Sequence, residues 1–240
     1  MSIVEFTAAT LAVVLGSVVQ VASGVGGGFV IVPLLALVDL SLIPSPLIFA
    51  SLSLSGLMAV RERAAVDWQH IPVTLLGLIP GSILGAYVLS SVPFANLGIV
   101  FGAVILIGIL LAISGLHVPL TRATAFVSGA ISGTMGTTSG IGAPPLALLY
   151  HNETGPRVRA TLAALYSGAS ILILIILFSF EQFSMSNAVA GFQLMPGFVL
   201  GYWIANRFTP HIDRGRTRIA VLIVSGAAAF ALIARSLTAG

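Results

Sequence analysis

The sequence contains no cysteine and no lysine, and sets only seven acidic residues against ten arginines in 240 positions. Without cysteine there is no disulfide and no thiolate metal site, an absence that leaves the compartment open. Charged residues make up 7% of the chain, where soluble domains carry about 25%. So small a stock cannot cover a water-facing surface, while hydrophobic residues supply 58% of the chain. Lipid is therefore the solvent for most of it. The charges are also grouped, and the windows between them approach the ~20 residues that cross a hydrocarbon core about 30 Å thick. A net charge of +3 would be compatible with a nucleic-acid partner. The arginines, however, are scattered among short loops with no basic tract or aromatic platform, which excludes that class. The first apolar window, Phe6 to Val21, follows Glu5 rather than a basic stretch and shows no small-residue cleavage site, so it reads as a membrane helix rather than a cleaved signal peptide.

What the chain does have is an internal repeat. Ser23-Gly24-Val25-Gly26 recurs as Ser139-Gly140-Ile141-Gly142, and Pro80-Gly81-Ser82-Ile83-Leu84-Gly85 recurs as Pro196-Gly197-Phe198-Val199-Leu200-Gly201, both at an offset of 116 residues. Two motifs sharing one offset divide the chain into a single membrane domain of two repeats, 1–118 and 119–240. Each repeat reads as five helical elements: 3–22, 29–39, 45–60, 70–90 and 95–115, then 121–135, 144–151, 158–180, 187–206 and 217–236. The second element of each set is too short to cross a bilayer and follows a Gly-rich break, at Ser23 to Gly28 and at Thr137 to Pro145.

Arginine placement sets the threading, because arginine is retained on the cytoplasmic side. With Arg61 and Arg63 inside, Arg122, Arg157, Arg159, Arg207, Arg214, Arg216 and Arg218 also fall inside, and Arg235 is the exception. That holds if the first two elements of each half form a re-entrant hairpin and the other three cross. The fold expected is thus an all-α, polytopic transmembrane bundle of two inverted repeats in the cytoplasmic (inner) membrane, with both termini outside. A bundle in which all five elements span gives the same inversion, because five crossings are also odd.

Non-helical backbone is tolerated at membrane depth only where protein or a watery cavity surrounds it. The two breaks therefore belong inside the bundle, with the short helices aiming their N-termini at a common volume. Such helix ends attract anions without a charged side chain. Pro144 and Pro145 suit a first helical turn. Ser23, Thr137, Thr138 and Ser139 add hydroxyls, and Gln20 adds an amide. One reading is an anion site built from backbone N–H groups and hydroxyls; the other is that the glycines merely let helices approach closely. Two breaks at matching repeat positions favour the site. Gln193 either faces the same cavity or bonds a neighbouring helix. The Pro-Gly pairs at Pro80 and Pro196 read as structural kinks, and Tyr166, Ser51, Ser53 and Ser55 as helix glue.

No Asp, Glu or Arg lies well inside an expected span, so no intramembrane proton relay is marked. His70, His117, His151 and His211 sit at element ends and read as interfacial rather than as metal ligands, and no metal or cofactor is expected. His151 with Glu153 is a candidate gate or proton carrier. Intramembrane catalysis is disfavoured, since no acidic pair, metal cluster or base-activated serine is present, Ser139 included. The chain reads as a non-enzyme.

Gly24-Val25-Gly26-Gly27-Gly28 followed by Pro33, with Gly140-Ile141-Gly142-Ala143-Pro144 in the second half, resembles the paired glycine-rich motifs of the sulfite exporter TauE/SafE family of membrane transporters. The resemblance covers essentially the whole chain. It implies secondary transport of a sulfur-containing anion, such as sulfite, sulfoacetate or another organosulfonate, usually outward across the bacterial inner membrane. It also implies functional positions at Gly24, Gly26, Gly27, Gly28, Gly140, Gly142 and Pro144. Ala143 departs from a glycine common at that place. The expected partners are a small anion, the lipid bilayer and a proton or sodium as coupling ion. A passive anion channel and a non-transporting membrane scaffold subunit are the competing classes.

Overall fold

The computed structural model describes residues 2–151, 155–208 and 214–238. His211 and Glu153, singled out above, lie outside the described residues. Among the described residues, ten α-helices follow one another: α1 Ile3–Ser23, α2 Gly27–Val38, α3 Ser45–Arg61, α4 Ile71–Ser91, α5 Leu97–Ile113, α6 Arg122–Ser139, α7 Ala143–Leu149, α8 Pro156–Ser179, α9 Met185–Phe208 and α10 Arg214–Thr238. No strand occurs among the described residues, and the fold is all-α. Among the described residues, six stretches are long and apolar enough to cross a membrane: Ile3–Ser23, Ile71–Ser91, Phe94–Ile113, Pro156–Ser179, Met185–Arg207 and Val221–Thr238. In the first half α1, expected as a hairpin leg, is therefore of spanning length, while α3, expected to cross, has 17 residues.

The surface is apolar in the manner of a lipid-facing bundle. Phe178 is 70% exposed and Trp203 68%, while Ser17, Ser82, Thr137, Ser139 and Thr161 are fully buried. Inside a bundle without a hydrophobic driving force between helices, small residues and hydroxyls let backbones approach. The α4–α6 seam takes this furthest. A Cβ on Gly81 would sit 1.9 Å from the Ala130 carbonyl oxygen, on Gly77 2.0 Å from that of Phe126, and on Gly129 2.1 Å from that of Thr74. The order of these pairs means that α4 and α6 run in the same direction.

The α1 and α9 helices also run in the same direction, with Gly197 against Thr10 and Val13, and Gly201 against Val14 and Ser17. By contrast α5 and α10 are antiparallel, Gly98 meeting Ser236 and Gly102 meeting Ala229 and Ile233. So are α3 and α8: Ser45 at the start of α3 donates to the Gln182 carbonyl just after α8, while Glu62 just after α3 pairs with Arg159 near the start of α8. The arginine-bearing ends are tied together. Arg159 pairs with Glu62 at 3.1 Å, Arg157 with Asp67 at 3.0 Å, and Arg61 with Asn206. Arg235, the exception in the threading, donates to the Leu37 carbonyl at the end of α2 at 3.3 Å. There it offsets the negative end of that helix.

Candidate functional site

Glycine makes the first break possible. Gly24 (φ 79) and Gly26 (φ 94) adopt the left-handed region, which other residues enter only at a cost. The Gly24 N–H closes α1 on the Gln20 carbonyl at 2.8 Å. Gln20 then bridges the gap with its side chain: its amide nitrogen donates to the Gly24 carbonyl at 3.1 Å, and its amide oxygen accepts the Gly27 N–H at 2.9 Å. Ser23 reaches the Val19 and Val25 carbonyls. Close approach requires glycine at Gly27, where a Cβ would meet the Gln20 side chain at 2.7 Å and the Gly16 carbonyl oxygen at 2.8 Å.

The second break is shorter than the sequence pattern implies, because α6 continues to Ser139. Its last turn tolerates hydroxyls that bond backwards onto the helix. Thr138 donates to the Thr134 carbonyl at 2.7 Å and Ser139 to that of Met135 at 2.9 Å. Gly140 (φ 81) ends the helix, and Ile141 donates its N–H to the Ser139 hydroxyl at 3.3 Å. Ser132, two turns back, donates to the Gly142 carbonyl at 2.6 Å. Pro144 and Pro145 then open α7, so its first turn lacks two N–H donors.

The two breaks touch. A Cβ on Gly28 would lie 3.7 Å from both the Gly140 carbonyl oxygen and the Ile141 side chain. Beside this contact is a cavity of about 120 Å³ between α2, α3, α7 and α8. Six of the residues singled out in the sequence line it: Gln20, Gly27, Gly28, Gly140, Gly142 and Ala143. Ser23, Gly26, Ala143 and Pro144 line a second cavity of about 380 Å³, which also reaches His151. Five are in neither. Gly24 packs against Arg159; Thr137, Thr138 and Ser139 are buried in the helix packing; Gln193 is exposed on α9, next to the fully buried Leu194.

Sequence reasoning took Tyr166, Ser51 and Ser55 for helix glue and passed over Ser132 and Ser170. Tyr166 and Ser170 of α8, Ser51 and Ser55 of α3, and Ser132 of α6 all line the smaller cavity. Tyr166 and Ser170 stand one helical turn apart, a spacing that puts them on one face, and that was the signal available in the sequence. Among the described residues, no charged side chain lines this cavity. Its polarity comes from hydroxyls, the Gln20 amide and backbone alone.

The ion pairs Arg157–Asp67 and Arg159–Glu62 lie at the arginine-rich end of the bundle. Asp67 is partly buried, which opposes its ionisation, but the Gln69 N–H and the Arg157 guanidinium outweigh that and hold its carboxyl below the usual value. His117 and His151 stack edge to face with ring centroids 4.9 Å apart. The His151 Nδ1 lies 2.7 Å from the Leu148 carbonyl, while its buried Nε2 has no partner among the described residues.

No solved structure matches the chain. A curated protein of Cupriavidus necator, "Probable sulfite/organosulfonate exporter TauE", is 26% identical, the alignment covering 88% of each chain. The family model described as "Sulfite exporter TauE/SafE" matches residues 9–232, a span that includes both helix breaks and the cavity between them. That match covers all but the two ends, and the chain belongs to the sulfite exporter TauE/SafE family, whose members are membrane transporters and not enzymes.

Proposed function

We propose that this chain is a secondary transporter that moves a small sulfur oxyanion, sulfite or an organosulfonate such as sulfoacetate, outward across the cytoplasmic membrane by alternating access. The observation that carries the reading is the meeting of the two helix breaks beside a cavity with polar but uncharged walls. Free N–H groups at the start of α2 and the hydroxyls of α8 are the donors for the anion. Non-helical backbone at this depth is what secondary transporters use to bind near the midplane between their repeats.

The inverted-repeat reading finds support in packing direction. An offset of 116 carries the Pro80-Gly81 motif of α4 onto the Pro196-Gly197 motif of α9, and the break after α1 onto the break after α6. The same-direction pairs α4–α6 and α1–α9 exchange under that relation, as a two-fold axis in the membrane plane requires. Alternating access is then a rocking of one half against the other, driven by a proton or sodium gradient, with the arginine-rich end inside and both termini outside.

The test is efflux of sulfite and of sulfoacetate from proteoliposomes. Saturable flux that responds to an opposing proton or sodium gradient is expected, and non-saturating flux indifferent to both would mean a channel. Gly28→Leu, which fills the space against Gly140 and Ile141, is expected to abolish flux while the protein still inserts. Undiminished export by that variant would remove the cavity from the mechanism.

A further inference from the structure

We infer that Tyr166 and Ser170 of α8 are the hydroxyl donors that hold the substrate's anionic head, and that the site so formed takes a singly charged oxyanion in preference to a dianion. This rests on the transporter reading above and narrows it: it names the donor residues, has sulfite enter as hydrogensulfite, and has a sulfonate with a second anionic group, such as sulfoacetate, held less well than a simple alkanesulfonate.

A hydroxyl carries one proton, so a hydroxyl already donating has only lone pairs to offer, and these repel an anion. Three of the cavity's hydroxyls are in that position. Ser51 donates to the Ile48 carbonyl at 2.9 Å, Ser55 to that of Ser51 at 3.2 Å, and Ser132 to that of Gly142 at 2.6 Å. Gln20 has committed its oxygen and one amide hydrogen to the first break, which leaves it a single hydrogen to give.

Tyr166 differs from these. Its hydroxyl oxygen is buried and faces the Gln20 amide, yet the geometry between them does not close a hydrogen bond and no other group among the described residues accepts its proton. A buried donor without an acceptor is expensive to maintain, and a bound oxyanion supplies the acceptor. Ser170 lies one turn along the same face, buried and on the same cavity, with no acceptor among the described residues. The two hydroxyls and the remaining Gln20 hydrogen form a neutral, three-donor cradle.

Neutrality sets the charge preference. The cost of taking an ion out of water rises with the square of its charge, while the return from uncharged donors rises only in proportion to it. With no cation on the cavity wall, a dianion loses more than it regains. A monoanionic head of the R–SO₃⁻ type fits, and Leu47, Ile48, Leu54 and Met58 along α3 provide an apolar wall for the substituent.

The experiment is calorimetric titration of the full-length protein in detergent at neutral pH with methanesulfonate, sulfite and sulfate. Tyr166→Phe keeps the ring and removes the donor, and is expected to weaken methanesulfonate binding about 10- to 100-fold, the range for a hydrogen bond to a charged group. Ser170→Ala is expected to weaken it by about 3- to 10-fold. Ser53→Ala is the control and leaves affinity unchanged, because Ser53 donates to the Ala50 carbonyl and lines neither cavity. Sulfate is expected to bind at least about tenfold more weakly than methanesulfonate. The unfolding midpoint of each ligand-free variant verifies folding, and should Tyr166→Phe fail to fold, Ser170→Ala carries the test. Unchanged affinity in the folded variants overturns the donor assignment and leaves the transporter reading standing. Sulfate binding as tightly as methanesulfonate overturns the charge preference. Failure of the parent to bind any of the three anions removes the substrate class on which both rest.

Discussion

At both breaks the serine that ends the helix, Ser23 or Ser139, accepts the N–H two residues on; at the first the Gln20 amide also satisfies backbone groups on both sides of the gap, while at the second Ser132 donates to the Gly142 carbonyl alone. The helices that follow differ as well. α2 runs for 12 residues and keeps its N–H groups beyond Gly27, whereas α7 runs for seven and opens on two prolines. Behind the breaks, α6 is pressed onto α4 until backbone meets backbone, while α1 rests on α9 through fewer and mostly looser glycine contacts. Matching sequence motifs have thus been built into unequal devices. The second break is short, hydroxyl-lined and held on a rigid mount; the first supplies most of the backbone donors and sits on the more yielding support.

The largest effect that would break this contrast is in the two mounts. Gly81→Ala places a methyl 1.9 Å from the Ala130 carbonyl oxygen, and is expected to cost about 3 kcal/mol or prevent folding. Gly197→Ala meets Val13 at 3.1 Å and Thr10 at 3.3 Å, and is expected to cost under about 1 kcal/mol. Thermal unfolding in detergent compares them, and equal losses would abolish the distinction between a rigid and a yielding support.

Next in size are the two caps. Gln20→Leu strands the Gly27 N–H and the Gly24 carbonyl together, an expected loss of about 2–3 kcal/mol, whereas Ser139→Ala strands only the Ile141 N–H, about 1 kcal/mol. Hydrogen exchange at Gly27 and Ile141 would report each opening locally. Faster exchange at both sites in either variant would mean that the breaks open as one unit.

The smallest effect lies in the ion pairs at the arginine-rich end. Because the folded-state Asp67 carboxyl ionises below its ordinary value of 3.8, its stabilisation is complete above that value and is lost as pH falls through the lower folded-state value. Asp67→Asn is therefore expected to cost under about 1 kcal/mol at neutral pH and nothing at the acid end of the range. A variant that lost equal stability at both would place the contribution in packing rather than charge. Glu62→Gln, beside Arg159 and hence beside Gly24, is expected to disturb the first break and not the second.

Much of this was legible in the sequence, for physical reasons that differ by region. Scarce charge and long apolar windows announced the spans, and the glycines clustered at Gly24 to Gly28 and at Gly140 to Gly142 announced the helix breaks. The hydroxyl run Thr137 to Ser139 misled, because serine and threonine bonding back to their own helix look in sequence like residues leaving it. Gln193 was undecidable, since α9 is apolar on nearly all sides and its sequence does not say which face meets lipid. Tyr166 was read as helix glue for a related reason. A lone tyrosine in a membrane helix reads as packing, and only the three-dimensional inventory of donors and acceptors shows its proton unclaimed.

The α4–α6 seam has a consequence for how the protein can change. Every single-nucleotide replacement of a glycine codon that alters the residue adds at least a Cβ, and at Gly77, Gly81 and Gly129 that atom would fall within about 2 Å of a main-chain oxygen that has nowhere to go. No graded series of slightly larger residues leads away from the present arrangement. Adaptation to new cargo is left to α3 and α8, where side chains rather than main chain border the empty space.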